Sequence, residues 1–433
     1  MLYFQNKSSR SIAKPSHTNR GVANRGVANR GVANRGVANR GELNRPVTLH
    51  FASTETTMKN LANNRKWVAA ALCLFLMLST GCEALEYRPS AVGREGEVIV
   101  VIDSLNWSGP IGDAVRANIA PYLGTLPAPE REFTLRRISL SSQRLLETIQ
   151  KQKNIVFVAP LEDESAEAEF LRTRLDETAL SAVMSGQSSV IARRDLRRSG
   201  QQVIYMLGDT ESTIVDLLED RGEDIRYQFN EITRQRLNVD MFEKGRRFEL
   251  EDTLMSRHAF AVRGQHDYFI ASDTTDFVWM RRVVNSDSWR SLWVYYIEDF
   301  NPANLTPEWI YEARERLTQT HIRGNMGGFV AIDFRRELTS ENIDFLGRFA
   351  YETRGLWHMI GEDPVKGRVE YGMGGPFVNY TFYDDETGRL YMIDGMVFAP
   401  GYDKREFLRH MEVISHSFWT AEDAAAAAAK IET

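Results

Sequence analysis

Phe377-Val-Asn-Tyr-Thr-Phe-Tyr383, Asp384-Asp-Glu-Thr-Gly388 and Leu390-Tyr-Met-Ile-Asp-Gly-Met-Val-Phe398 read together as one β-hairpin. Two strand-forming runs flank a polar turn that closes on glycine, which is how antiparallel strands are joined. Upstream, residues 259–262, 268–271, 277–281 and 291–296 are four more short strands, and residues 329–334 a fifth. Isolated helices separate them: 307–320, with Thr306 as N-cap and Pro307 at its first position, 340–354, and 403–419. Runs of strands broken by single helices predict an α+β fold with a largely antiparallel sheet.

The first half follows a different pattern. Glu97-Val-Ile-Val-Val-Ile-Asp103 is short, apolar and β-branched, the mark of a strand buried on both faces. Strands at 133–138 and 154–158 alternate with helices at 111–122, 141–150 and 164–182. Residues 190–196 and 201–207 flank a Ser-Gly turn as a hairpin, and a long charged helix runs from 210 to about 242. The expected architecture is therefore two lobes, an N-terminal α/β lobe over 97–240 and a C-terminal α+β lobe over 241–419. An Ala-rich tail follows over 420–433.

Residues 1–57 do not read as a folding sequence. The pentapeptide Asn-Arg-Gly-Val-Ala recurs from Asn19, too short a unit to build a buried face. They are either a disordered basic leader or translation from upstream of the true start, and Met58 favours the second. There Lys59, Arg65 and Lys66 precede the apolar run 67–77 and Leu78-Ser-Thr-Gly-Cys82, the order of a lipoprotein signal peptide over 58–81. The run is too short to span a bilayer as a helix, which takes about 20 residues. Cys82 is then the lipidated first residue of the mature chain, and residues 82–96 a tether. Cys73 lies in the signal, so neither of the two cysteines is left for a disulfide or a thiolate metal site.

Up to Cys82 the chain holds 12 Lys and Arg against 2 Asp and Glu, out of 53 and 59 in all, so the remainder carries about −16. Such a surface is a poor partner for nucleic acid or anionic headgroups, and membrane attachment falls to the lipid. The expected address is the cell envelope, and Glu83 after the cysteine favours the outer membrane.

Several blocks resemble a Bacteroidota lipoprotein family known as domain of unknown function 4837. They are Arg354-Gly-Leu-Trp-His-Met359, Met373-Gly-Gly-Pro-Phe-Val378, Val397-Phe-Ala-Pro-Gly-Tyr-Asp-Lys-Arg405, Leu408-Arg-His-Met-Glu412, Phe277-Val-Trp-Met-Arg-Arg282 and Trp107-Ser-Gly-Pro-Ile-Gly-Asp113. The resemblance implies an envelope lipoprotein and carries no catalytic residues. The order of elements in the second lobe is also similar to the PsbP/Mog1 type of sandwich, a likeness of fold alone.

No residue pattern singles out a cofactor, a metal or a catalytic centre. The loop Tyr371-Gly-Met-Gly-Gly-Pro376 leads into a strand rather than a helix N-terminus, so it is no phosphate cradle. Asn325-Met-Gly-Gly-Phe-Val330 repeats its pattern, which points to a structural device, either close backbone approach or unusual dihedrals at a strand start. The histidines lack zinc-helix spacing, and no pair of acids stands out for glycoside hydrolysis. Trp107 and Trp357, with Arg354, are the candidate binding residues, for a glycan or protein of the envelope, and core packing is the favoured alternative for the two tryptophans. Trp279, Trp293 and Trp419 are expected in the core. The expected function is a non-catalytic binding or assembly module, with an envelope hydrolase bearing carboxylates between the lobes as the alternative.

Overall fold

The computed structural model describes residues 88–243, 245–285, 288–324 and 327–431. The repeats, the signal peptide and Cys82 lie outside them. In the first half, β1 (Glu97–Val101), β2 (Thr134–Ile138), β3 (Asn154–Pro160) and β5 (Gln202–Gly208) run parallel. β4 (Ser189–Arg194) pairs antiparallel at the edge, giving the order β2-β1-β3-β5-β4. Side chains of β1, β3 and β5 pack on both faces, which is why these strands read as unbroken apolar runs. One face carries α1 (Ser104–Ser108), α2 (Pro110–Asn118) and α6 (Glu211–Phe242). The other carries α3 (Gln143–Ile149), α4 (Ala166–Arg172) and α5 (Glu177–Met184).

The second half is an eight-stranded antiparallel sheet, ordered β10-β12-β13-β14-β9-β8-β7 with β11 also on β12. Its strands are β7 (Phe269–Asp273), β8 (Phe277–Asn285), β9 (Ser288–Glu298), β10 (Phe329–Ile332), β11 (Thr339–Phe345), β12 (Arg348–Asp363), β13 (Gly367–Asp384) and β14 (Arg389–Phe398). The hairpin of residues 377–398 is β13–β14, near the middle of the sheet. A two-stranded ribbon, β6 (Phe260–Ala261) with β15 (Trp419–Thr420), lies beside it. Helix α8 (Pro307–His321) covers one face, capped by Thr306 as predicted. The other face is covered by α7 (Phe248–His258), by α9 (Arg405–Ser415) and by the end of α6. The Ala-rich end forms α10 (Ala421–Ile431), in keeping with the helix propensity of alanine.

All described residues fall in one unit, Glu86–Thr433. Helix α6 is the physical reason. Its 32 residues reach about 48 Å. Ile214, Leu218, Ile225 and Phe229 pack on the five-stranded sheet, whereas Leu237, Met241 and Phe242 pack under the eight-stranded one.

Three expectations change. Residues 340–354 form not a helix but most of the β11–β12 hairpin, joined through Leu346 and Gly347 at φ 57° and 82°. Two successive positive φ values make a two-residue turn whose twist suits a hairpin, and a helix cannot pass through them. The helix of 164–182 is split, because Asp176 caps a new start by accepting from the Ala179 N–H at 2.8 Å. Trp357, just past the helix expected over 340–354, stands inside β12. The repeated Met-Gly-Gly motif does mark close approach. A Cβ on Gly328 would lie 2.5 Å from the Ile360 carbonyl oxygen, and one on Gly375 2.0 Å from that of Val397.

Candidate functional site

A cavity lies on the first sheet, away from the residues the sequence singled out. Period-two alternation turns Ile155 and Phe157 of β3, Val203 and Tyr205 of β5, and Ile191 of β4 to one face. Strand register sets them side by side, with Ile155 opposite Val203, and both Phe157 and Ile191 opposite Tyr205. Phe157 stacks between the rings of Tyr205 (5.2 Å) and Phe170 (4.8 Å). Leu171 and Leu175, at and after the end of α4, close the wall opposite. The cavity is about 440 Å³, within the usual size of small-molecule sites, roughly 300–1,000 Å³.

Its rim is cationic. Arg174, Arg193 and Arg197 are exposed at the mouth, and Arg174 lies 4.6 Å over the Phe170 ring. Among the described residues, no carboxylate oxygen lies within 4 Å of any of the three guanidiniums, whereas 16 other arginines are paired with acids. Burial pushes the Tyr205 phenol up while the charges of Arg174, Arg197 and Arg193 pull it down, and the net shift is upward. Tyr205 therefore keeps its proton at neutral pH and can donate.

The loop holding Arg197 is fixed from beneath. Buried Gln201 donates to the carbonyls of Gln150 (2.9 Å) and Gln152 (2.8 Å), and its side-chain oxygen accepts from the Arg197 N–H at 3.1 Å. The chain enters the described fold along this loop. Ser199 N–H donates to the Pro89 carbonyl at 3.1 Å, Ala91 N–H donates to the Ser199 carbonyl at 2.9 Å, and the Arg88 guanidinium donates to the Asp195 carbonyl.

Trp107, Arg354 and Trp357 are not brought together. Trp107 is half-buried in α1 beneath the Arg116 guanidinium, 4.7 Å away, and lines a second cavity of about 420 Å³ with Arg131 and Arg405. Arg354 and Trp357 stand three apart on β12 and so face opposite sides of the sheet. Trp357 is 1 % exposed and stacks on Trp289 at 5.2 Å, a core residue rather than a binding one. Trp293 is core as expected; Trp279 packs partly buried against the same cluster, and Trp419 partly buried against the cluster on the sheet's other face.

Arg354 belongs to an ionic layer between the sheet, α6 and α9. It pairs with Glu352 (2.6 Å) and Glu412 (2.8 Å), while Arg234 pairs with Glu231 (2.7 Å). His416 Nε2 accepts from Arg234 at 2.8 Å, and its Nδ1–H donates to the Glu412 carbonyl at 2.8 Å. Part of this layer borders a groove of about 690 Å³. Burial raises the Glu231 and Glu352 carboxyls, but their arginines outweigh it and both end below the usual range. Burial, helped by the Arg234 charge, pushes His416 down to about 4. On the sheet's other face, under α8, burial outweighs the Arg314 charge at Asp394 and its carboxyl ends above the usual range, sealed at 0 % exposure against that arginine. Among the described residues, no cluster of three or more His, Cys, Asp or Glu could hold a metal. No helix among them is long and apolar enough to cross a membrane.

No curated protein matches the chain. Two solved structures are similar, the Saccharomyces cerevisiae Ran-binding protein Mog1p and a mutant of Mog1. The first is 9 % identical with a TM-score of 0.26, covering 38 % of this chain and 90 % of that one. The second is 10 % identical with a TM-score of 0.25, covering 38 % and 91 %. Residues 91–242 match a family model described as Domain of unknown function (DUF8532), and the Trp107 block falls within it. The other five quoted blocks fall within residues 247–417, which match the model of the Domain of unknown function (DUF4837), the family this half of the chain resembles.

Proposed function

We propose that this protein is a lipid-anchored envelope component, held through Cys82, whose domain binds a ligand rather than catalysing a reaction. The observation that carries the binding reading is the cavity on the first sheet. Its walls are largely apolar and aromatic, its polar chemistry is guanidinium, phenol and amide, and among the described residues no carboxylate, histidine, serine or cysteine lines it. That chemistry recognises a molecule without moving a proton. The hydrolase alternative rests on the ionic layer near Arg354. A general acid needs a carboxyl raised towards neutrality, whereas Glu231 and Glu352 are lowered. The envelope address, with the outer membrane favoured, follows from the lipobox and Glu83.

Two measurements test the reading. Replacing Cys82 by alanine abolishes labelling by a fatty-acid probe and releases the chain from the membrane fraction; persistent labelling rejects the anchor. In a strain lacking the protein, Arg193→Glu/Arg197→Glu fails to restore the deletion phenotype, whereas Glu231→Gln/Glu352→Gln restores it. The opposite pattern selects the hydrolase.

A further inference from the structure

We infer that the arginine-rimmed cavity takes an anionic amphiphile, its acyl chain on the sheet and its carboxylate or phosphate among Arg174, Arg193 and Arg197. This rests on the binding reading above and names the ligand class of that same cavity. Three independent observations converge on it.

The first is chemical. A cavity of about 440 Å³ with aliphatic and aromatic side chains on the sheet and three exposed guanidiniums at its rim fits a ligand with one long apolar part and one polar end. Guanidinium groups match carboxylate and phosphate oxygens in a fixed fork, so the polar end is an anion. The second is electrostatic. The chain beyond Cys82 is acidic overall, yet three cations share this rim with no acid within 4 Å among the described residues. Guanidiniums with no acid beside them leave the rim locally positive on an acidic protein, and an anion is drawn to such a rim.

The third is position. The segment Arg88–Ala91 lies against the loop Asp195–Ser199, which supplies Leu196 and Arg197 to the mouth. Six peptide steps separate Arg88 from Cys82, a reach of at most about 20 Å. With Cys82 lipidated as proposed, that reach tethers Arg88 to the bilayer, where anionic amphiphiles are concentrated. A carboxylate of a free fatty acid and a phosphate of a phospholipid present the same chemistry to the rim.

The test uses the full chain carrying Cys82→Ser, so that no covalent lipid competes. It is titrated with cis-parinaric acid, a fatty acid that fluoresces in apolar surroundings, and with vesicles of phosphatidylglycerol or phosphatidylcholine. The expected result is saturable one-site binding, weakened at least tenfold by Arg193→Gln/Arg197→Gln and kept within about threefold by Arg193→Lys/Arg197→Lys. Ile191→Asp, which puts charge on the cavity floor, should abolish it, and Arg221→Gln on α6 should leave it unchanged. Arginine-dependent binding of the free acid assigns a fatty acid. Arginine-dependent binding confined to phosphatidylglycerol vesicles assigns a phospholipid, and either supports the inference. Absence of saturable binding, or binding that ignores the arginine pair or accepts the methyl ester equally well, overturns it. Because this chain carries no lipid, failure of the Cys82 labelling test would remove the anchor but not the binding result.

Discussion

His416 shows how burial fixes a protonation state. Burial strips an imidazolium of its hydration, and Arg234 adds repulsion; Glu412 and Glu352 pull the other way and are outweighed, leaving a value of about 4 against 6.5 when exposed. The unfolded chain takes up this proton near pH 6.5 and the folded chain only near 4. Between those values the unfolded state binds more protons, so stability falls as pH drops from about 6.5 towards 4 and is unaffected above. At pH 4.5 the loss from this one group is about 2 kcal/mol. In His416→Gln the amide oxygen can still accept from Arg234, and the titration is gone. The drop in unfolding free energy between pH 7.5 and 4.5, measured in guanidinium, should be about 2 kcal/mol smaller in the variant. An equal drop in both proteins would reject the assignment.

At the scale of elements, the β11–β12 turn turns on two residues. Leu346 sits at φ 57°, where a branched side chain is strained, and Gly347 at φ 82° with open space around it. Leu346→Asn should therefore stabilise by about 0.5–1 kcal/mol, because asparagine tolerates this region. Gly347→Val should destabilise by about 1–2 kcal/mol or more through backbone strain alone. Thermal unfolding of both variants checks the pair, and a loss in Leu346→Asn would show that the leucine side chain matters more than its backbone. This turn also explains where sequence reasoning stopped. The hairpin at Asp384–Gly388 carries the usual polar-plus-glycine signature and was legible. Phe345-Leu-Gly-Arg348 carries an apolar residue where asparagine is usual, so nothing local marks the turn. Long strands such as β12 are decided by pairing with both neighbours, a tertiary fact. The helix of Glu211–Phe242 was legible because its length and its Thr210 cap are local. The candidate cavity was not, because Arg174, Arg193 and Arg197 are scattered in sequence and only strand register and the Gln201 clasp place them on one rim. Arg354 and Trp357 looked like a pair because they are near in sequence, but a strand sends them to opposite faces.

At the scale of the molecule, the two family matches meet between residues 242 and 247, yet the physical contacts cross that line. Helix α6 crosses it by length. Helix α9 crosses it by its N-terminus, where Lys404 offers no side-chain cap. The missing acceptor comes from the first half, since Glu130 accepts from Lys404 N–H at 2.8 Å and Arg405 N–H at 3.0 Å, a carboxylate at the positive end of the helix dipole. Arg409 of the same helix donates to the Glu132 carbonyl at 2.7 Å, and Arg405 to that of Arg131 at 2.8 Å. With both sheets buried against one 32-residue helix and one cap shared across the boundary, the described chain should unfold in a single transition. Calorimetric and van't Hoff enthalpies should agree in the wild type. Glu130→Ala removes the cap and should cost about 1 kcal/mol. Adding Arg409→Leu, which cuts the second tie and leaves α6 intact, should lower the midpoint further while the transition stays single, because the shared helix remains. If that double variant instead splits into two resolved transitions, the coupling lies in the α9 contacts rather than in the helix common to both cores.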